Sequence, residues 1–188
     1  MTDYKIGDTI TRNGIRLLVL DMIDGSPFVI ALDTGLESRF GGNTNYLDSK
    51  LYEAIESWFD ASGLSPIPRM LDLTSMDGGD SYGSTNIGVA PLTFDEYRKY
   101  GNILIPHIKK NFWLCTPWRD LKYDAYVGAY YVCAVNSDGS AYYDGNWVCH
   151  GVAPAFILDD NIQDRTLSNY STDELLAEIK RRMEAANE

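Results

Sequence analysis

Apolar residues arrive in short blocks separated by turn signals. "IRLLVLDM" and "SPFVIALD" are two apolar runs either side of "IDG". The Asp24-Gly25 pair is a strong hairpin signal, so the chain is expected to open with a β-hairpin. The period then changes. "NTNYLDSKLYEAIESWFDASG" reads as a helix capped by Asp48 or Ser49, with Leu51, Ile55, Trp58 and Phe59 on one core-facing stripe and Gly63 at the C-terminal cap. "SPIPRMLDLTSMDGGDSYGSTN" is rich in Gly, Ser, Asp and Pro and reads as a long ordered loop. "TFDEYRKYG" is a short helix, with Thr93 and Glu96 at the spacing of a capping box.

The second half is β-rich. "NFWLCTP" reads as a buried strand, and Trp118 to His150 as short strands and turns. "AYYVCAV", "NSDGS" and "AYYDGNWV" form a second hairpin turning on Asp-Gly, and "GVAPAFIL" reads as a final buried strand. Residues 1–160 are therefore expected to form one globular domain. Residues 161–188 are expected to hold the rest of a linker and an amphipathic helix, "STDELLAEIKRRMEAANE". Ser171 and Glu174 again have capping-box spacing, and the acid-to-base order along this helix matches its dipole. Its stripe of Leu175, Leu176, Ile179 and Met183 leaves two fates open: packing back on the domain, or joining a second copy in a homo-oligomer.

Charge narrows the partners. The net charge is −11, which disfavours direct contact with bare nucleic acid, because phosphate binding needs a basic surface. It is compatible with a basic partner, or with mimicry of nucleic acid toward a protein that binds it. "MTDYKIGDTI" lacks the basic start and apolar core of a signal peptide, and no apolar run is long enough to span a membrane. Cys115, Cys133 and Cys149 are an odd set without close pairing, which fits free thiols and a cytoplasmic site of synthesis, with virion association open.

The motifs of common chemistries are missing. Cys149 and His150 are adjacent, so on a strand they point to opposite faces, and His107 is distant; no metal or calcium ligand set is recognisable. Cys133 and Cys149 lack C-x-x-C spacing, although they could face each other across the hairpin; buried thiols are the expected outcome. "DGGDSYGS" follows no strand and opens no helix in the manner of a phosphate loop, and no Gly-x-Ser-x-Gly elbow occurs. No cofactor is expected.

Several stretches occur in a telling order: "NGIRLLVLD", "NTNYLDSKLYEAI", "LDLTSMDGGDSYG", "APLTFDEYRKY", "FWLCTPW", "AVNSDGSAYYDG" and "GVAPAFIL". Over roughly residues 5–160 this series resembles an uncharacterised domain family of Gram-positive bacteria, their prophages and phages. That family is marked by a Trp-Trp-Leu-Arg-Ser-Pro-like motif and a terminal Gly-Val-Arg-Pro-Ala-like motif. The resemblance implies an α+β fold of the C-type-lectin-like, formylglycine-generating-enzyme-like type, with an N-terminal β-hairpin, two packed helices and an appended C-terminal helix. This chain departs from the pattern at Cys115 and Ala153, where basic residues are common. The wider fold's enzymes use paired cysteines or a histidine cluster on iron. Two histidines and scattered cysteines do not match either, so the resemblance implies no enzyme activity.

It implies a binding surface instead. In diversified lectin-like relatives, variable Tyr-, Asn-, Asp-, Ser- and Gly-rich positions lie just before the final strand. The same place here, Trp118 to His150, holds six of the thirteen tyrosines and two of the four tryptophans. Tyrosine and tryptophan give large, rigid contact area at low entropic cost. Side chains alternate along strands, so Tyr142 and Tyr143 cannot share one core, and neither can Tyr130 and Tyr131. The candidate partner-binding residues are Trp118, Tyr123, Tyr126, Tyr130, Tyr142, Tyr143, Asn146 and Trp147. Cys149 is expected to be a buried thiol, and His150 is open. The expected function is a non-catalytic module, phage or prophage encoded, that recognises a protein or surface glycan. The alternatives are an acidic inhibitor of a host nucleic-acid-binding protein, or a virion component assembled through 171–188.

Overall fold

The computed structural model describes residues 4–123 and 130–160. One compact unit runs to Leu158, and a second begins at Asp159. The expected helix over 171–188, and with it the oligomer-forming stripe, lies outside the described residues.

The first unit is mixed α+β, mostly sheet with two helices. The expected hairpin forms: β2 (Ile15–Ile23) pairs antiparallel with β3 (Ser26–Leu32), with Ile23 opposite Ser26. Asp24 and Gly25 both take positive φ, 49° and 83°, as a type I′ turn requires. The chain does not open on this hairpin, however. β1 (Thr9–Arg12) precedes it and pairs with β2 across a second turn, Asn13-Gly14. "TITR" carries one aliphatic residue and gives no hydrophobic signal; the Asn-Gly pair is the cue.

After β4 (Glu37–Arg39) comes helix α1 (Lys50–Ser62). Its cap is Ser49, whose Oγ accepts from the Tyr52 N–H at 3.0 Å, while Asp48 ends a preceding 3-10 turn. Leu51, Ile55 and Phe59 are buried. The expected long loop over 65–86 is corrected. It contains β5 (Pro66–Ile67) and a small hairpin of β6 (Arg69–Asp72) with β7 (Ser84–Ile87), leaving 73–83 as the irregular stretch. Arg69 and Leu71 point inward while Met70 and Asp72 point out, an alternation too short to read unaided. β8 (Val89–Ala90) leads to α2 (Phe94–Leu104), whose capping box is complete. Thr93 Oγ1 accepts from the Glu96 N–H at 3.1 Å, and the Glu96 carboxylate accepts from the Thr93 N–H at 2.8 Å.

β9 (Phe112–Pro117) is buried throughout, and β10 (Tyr131–Val135) and β11 (Ala141–Gly145) form the second hairpin. "GVAPAFIL" is not one strand. β12 (Cys149–Gly151) ends in one sheet and β13 (Ala155–Leu158) begins in another. The break falls at Pro154, which has no N–H to donate to a ladder; its carbonyl accepts from the Ala31 N–H at 2.8 Å.

One sheet runs β1-β2-β3-β13-β5, with β8 also on β13; a second runs β11-β10-β9-β12-β4; β6 and β7 stand as a pair. Leu17, Val19, Val29 and Ala31 join α1, Trp113, Val132 and Ala134 in one apolar cluster. Leu18, Leu20, Phe28 and Ile30 join α2, Leu114, Cys133 and Val135 in another. Central strands are thus covered on both faces, which explains continuous apolar runs in largely antiparallel sheets. Among the described residues no helix is long and apolar enough to cross a membrane.

Candidate functional site

The β10–β11 hairpin sorts its tyrosines by strand alternation. Tyr142 lies opposite Ala134, and Tyr143 opposite Cys133. Ala134 belongs to the first cluster and Cys133 to the second, so the two neighbouring rings part to opposite faces.

On the Tyr143 face, five rings form a continuous array. Trp118 stacks on Tyr143 with centroids 4.1 Å apart and planes 30° apart. Tyr143 meets Tyr131 edge-on at 5.4 Å, Tyr131 meets Trp147 at 6.1 Å, and Trp147 meets Tyr130 at 6.4 Å. Each such contact contributes about 0.5–1.5 kcal/mol beyond burial, so the rings hold one another in place. Trp118 packs its inner side on the second apolar cluster. Tyr130, Tyr143 and Trp147 remain 48, 46 and 55% exposed.

Backbone bonds fix the array's frame. The Trp118 N–H donates to the Tyr131 carbonyl at 3.0 Å, and the Asn146 N–H to the Tyr130 carbonyl at 2.7 Å. The Val148 N–H closes a tight turn onto the Gly145 carbonyl at 2.9 Å, which aims Trp147 back over its own strand. The indole lies so close to Gly145 that a Cβ there would be 2.4 Å from Cζ2.

Four expected residues are therefore brought together: Trp118, Tyr130, Tyr143 and Trp147. Tyr131 completes the array and was absent from the expected set, because alternation with Tyr130 does not say which of two adjacent rings stays accessible. Tyr142 and Asn146 are corrected. Tyr142 turns inward, where its hydroxyl meets His150 Nε2 at 3.0 Å and accepts from Asn111 Nδ2 at 3.1 Å. Burial, foremost, pushes its phenol above the ordinary range. Asn146 is buried, and its carbonyl accepts from the Gly41 N–H at 2.7 Å. Tyr123 ends a 3-10 turn whose side chains are not described at that position, and Tyr126 lies outside the described residues.

His150 is buried against Trp113, with ring centroids 4.5 Å apart, and its Nε2 lies 3.0 Å from both Tyr142 Oη and Asp144 Oδ2. This constellation ties β11 to β12 around a closed ring edge. Among the described residues, the histidine's hydrogen bonds include no cysteine or serine. Among the described residues no three His, Cys, Asp or Glu side chains are grouped to hold a metal ion.

The cysteines separate sharply. Cys115 and Cys133 are buried, and desolvation raises both thiols, Cys133 to about 12. Cys149, expected to be buried, is exposed: it sits opposite Arg39 on β4, so Cys133 and Cys149 do not face each other. Its strand neighbour His150 takes the inward place instead. Ellman's reagent is therefore expected to titrate one thiol rapidly in the native protein and three in concentrated urea. Three fast thiols under native conditions would mean that neither core is sealed.

Comparison with family models, with curated proteins and with solved structures found no match to the chain in any of the three.

Proposed function

We propose that the protein is a non-catalytic binding module, phage or prophage encoded, with a lectin-like, formylglycine-enzyme-like fold. It recognises a protein or surface glycan through Trp118, Tyr130, Tyr131, Tyr143 and Trp147. The observation that carries this reading is the run of three large rings about half exposed on one rigid hairpin. Single exposed aromatics are ordinary, but a contiguous set on a strand scaffold is what recognition surfaces use.

The test is capture of partners from host lysate, followed by titration of the captured partner against Tyr143→Ala with Trp147→Ala. Affinity is expected to fall at least about tenfold, since aromatic anchors dominate binding energy. An unchanged affinity sinks the assignment. The net charge of −11 favours a second reading, occupation of a host nucleic-acid-binding protein. That reading requires affinity to collapse as salt rises, because charge attraction is screened. Ring-driven binding survives high salt.

A further inference from the structure

We propose that a pocket sharing no lining residue with the ring array binds a small free organic anion with an apolar body. The pocket has a volume of about 370 Å³, within the range of small-molecule sites. Ala31, Leu104, Phe112 and Ala153 give it apolar lining. Ala153 lines the pocket, packs against the second apolar cluster and is only partly buried, so a much larger side chain there has to take up pocket space.

The mouth is charged and held in place. Asp33, His107, Lys109 and Lys110 line it. Lys109 Nζ lies 3.1 Å from Asp33 Oδ1, and the same carboxylate also pairs with Arg16. Lys110 Nζ lies 2.9 Å from Glu37 Oε1. Arg16, Lys109 and Lys110 therefore face two carboxylates, Asp33 and Glu37, and one positive charge is left over. That surplus stands out in a chain of net charge −11. The rim segment is pinned rather than loose: the Thr34 hydroxyl donates to the Val152 carbonyl at 2.8 Å and accepts from the Leu36 N–H at 3.1 Å.

An apolar interior under a net positive mouth matches an amphiphile with a carboxylate, sulfonate or phosphate head. A second pocket, about 320 Å³, shows the contrast: Glu56 and Asp60 line it, and an anion would be repelled there. The volume suits one fused ring system or one medium-length chain, not a two-chain lipid. The proposal does not rest on the ring array.

The probe is anilinonaphthalenesulfonate, followed by fluorescence titration on the full chain. One saturable site is expected. Ala153→Trp fills the space and is expected to weaken the dye at least about tenfold, as a blocked cavity must. Lys109→Gln with Lys110→Gln changes only exposed side chains, so folding is kept; it is expected to weaken the dye about three- to tenfold. Octanoate displaces the dye, whereas octyltrimethylammonium does not. Three results overturn the proposal: no saturable binding by the native protein, loss of the dye in Tyr143→Ala with Trp147→Ala but not in Ala153→Trp, or equal displacement by the anionic and cationic octyl compounds.

Discussion

Replacing Glu96 by alanine is expected to cost about 3–4 kcal/mol of folding stability. Arg69, on β6, is 8% exposed, with its guanidinium 5.0 Å from the centre of the Phe28 ring. Its Nη1 lies 2.5 Å from Glu96 Oε1 and its Nη2 3.4 Å from Oε2, while Nε is buried without a hydrogen-bond partner among the described residues. Glu96 is thus the carboxylate that offsets a nearly sealed positive charge. The same carboxylate accepts from the Thr93 N–H and completes the cap of α2. The substitution removes both roles. Glu96 itself is 23% exposed, so water partly re-solvates the guanidinium and keeps the loss below the largest seen for buried pairs. Arg69→Met with Glu96→Ala leaves no buried charge. It should recover most of the loss, with about 1 kcal/mol remaining for the cap. Urea unfolding measures both variants. A single-variant loss under about 1 kcal/mol, or simple additivity in the pair, would show that Arg69 is not sealed in.

Legibility in the sequence follows the range of the interaction involved. The hairpin at Asp24-Gly25, the stripe of α1 and the capping box of α2 are local: their cues lie within a few residues, and they form as expected. β6 and β7 were hidden because each is four residues long and their turn is an eleven-residue irregular segment, 73–83. The split of "GVAPAFIL" was hidden because both halves are apolar; only Pro154 marks where the chain leaves one sheet for the other. For the candidate site, density of aromatic residues points to the hairpin that carries the ring array, but alternation alone does not assign an absolute face. Tyr142 is among the expected contacts and Tyr131 is not. The deciding fact is non-local: Ala134 faces α1's cluster and Cys133 faces α2's, with the array where the second cluster reaches the surface. Cys149 takes the exposed place against expectation, and His150, left open by the sequence, takes the inward one, for the same reason.

The array also leans on a part of the chain that holds no aromatic contact of its own in it. Trp118 is carried by the segment Pro117–Asp120, and the irregular stretch 73–83 braces that segment from the far side. The Met76 N–H donates to the Pro117 carbonyl at 3.0 Å, the Tyr82 hydroxyl to the Arg119 carbonyl at 3.1 Å, and the Asp120 N–H to Asp77 Oδ1 at 3.1 Å. The Asp120 carboxylate returns to the loop, accepting from the Ser81 hydroxyl at 2.5 Å. The Ser81 hydroxyl, foremost, and the Lys122 N–H hold its carboxyl below the usual carboxylate range. Gly79 lets the loop come this close to Asp120. A Cβ there would sit 1.9 Å from Asp120 Oδ2 and 2.1 Å from Asp120 Cβ. The first overlap could be relieved by rotating a side chain, but the second involves an atom bonded to the backbone, so the loop or the 117–120 segment must move. Gly79→Ala is therefore expected to cost about 3 kcal/mol or more. It is also expected to loosen Trp118, on which Tyr143 stacks, so partner affinity should fall although Gly79 touches no ring. Thermal unfolding and the tryptophan fluorescence of the folded variant measure the two effects separately. A variant with unchanged melting temperature would show that the loop accommodates the methyl. A destabilised variant whose emission and affinity are both native would show that the brace is not what positions Trp118.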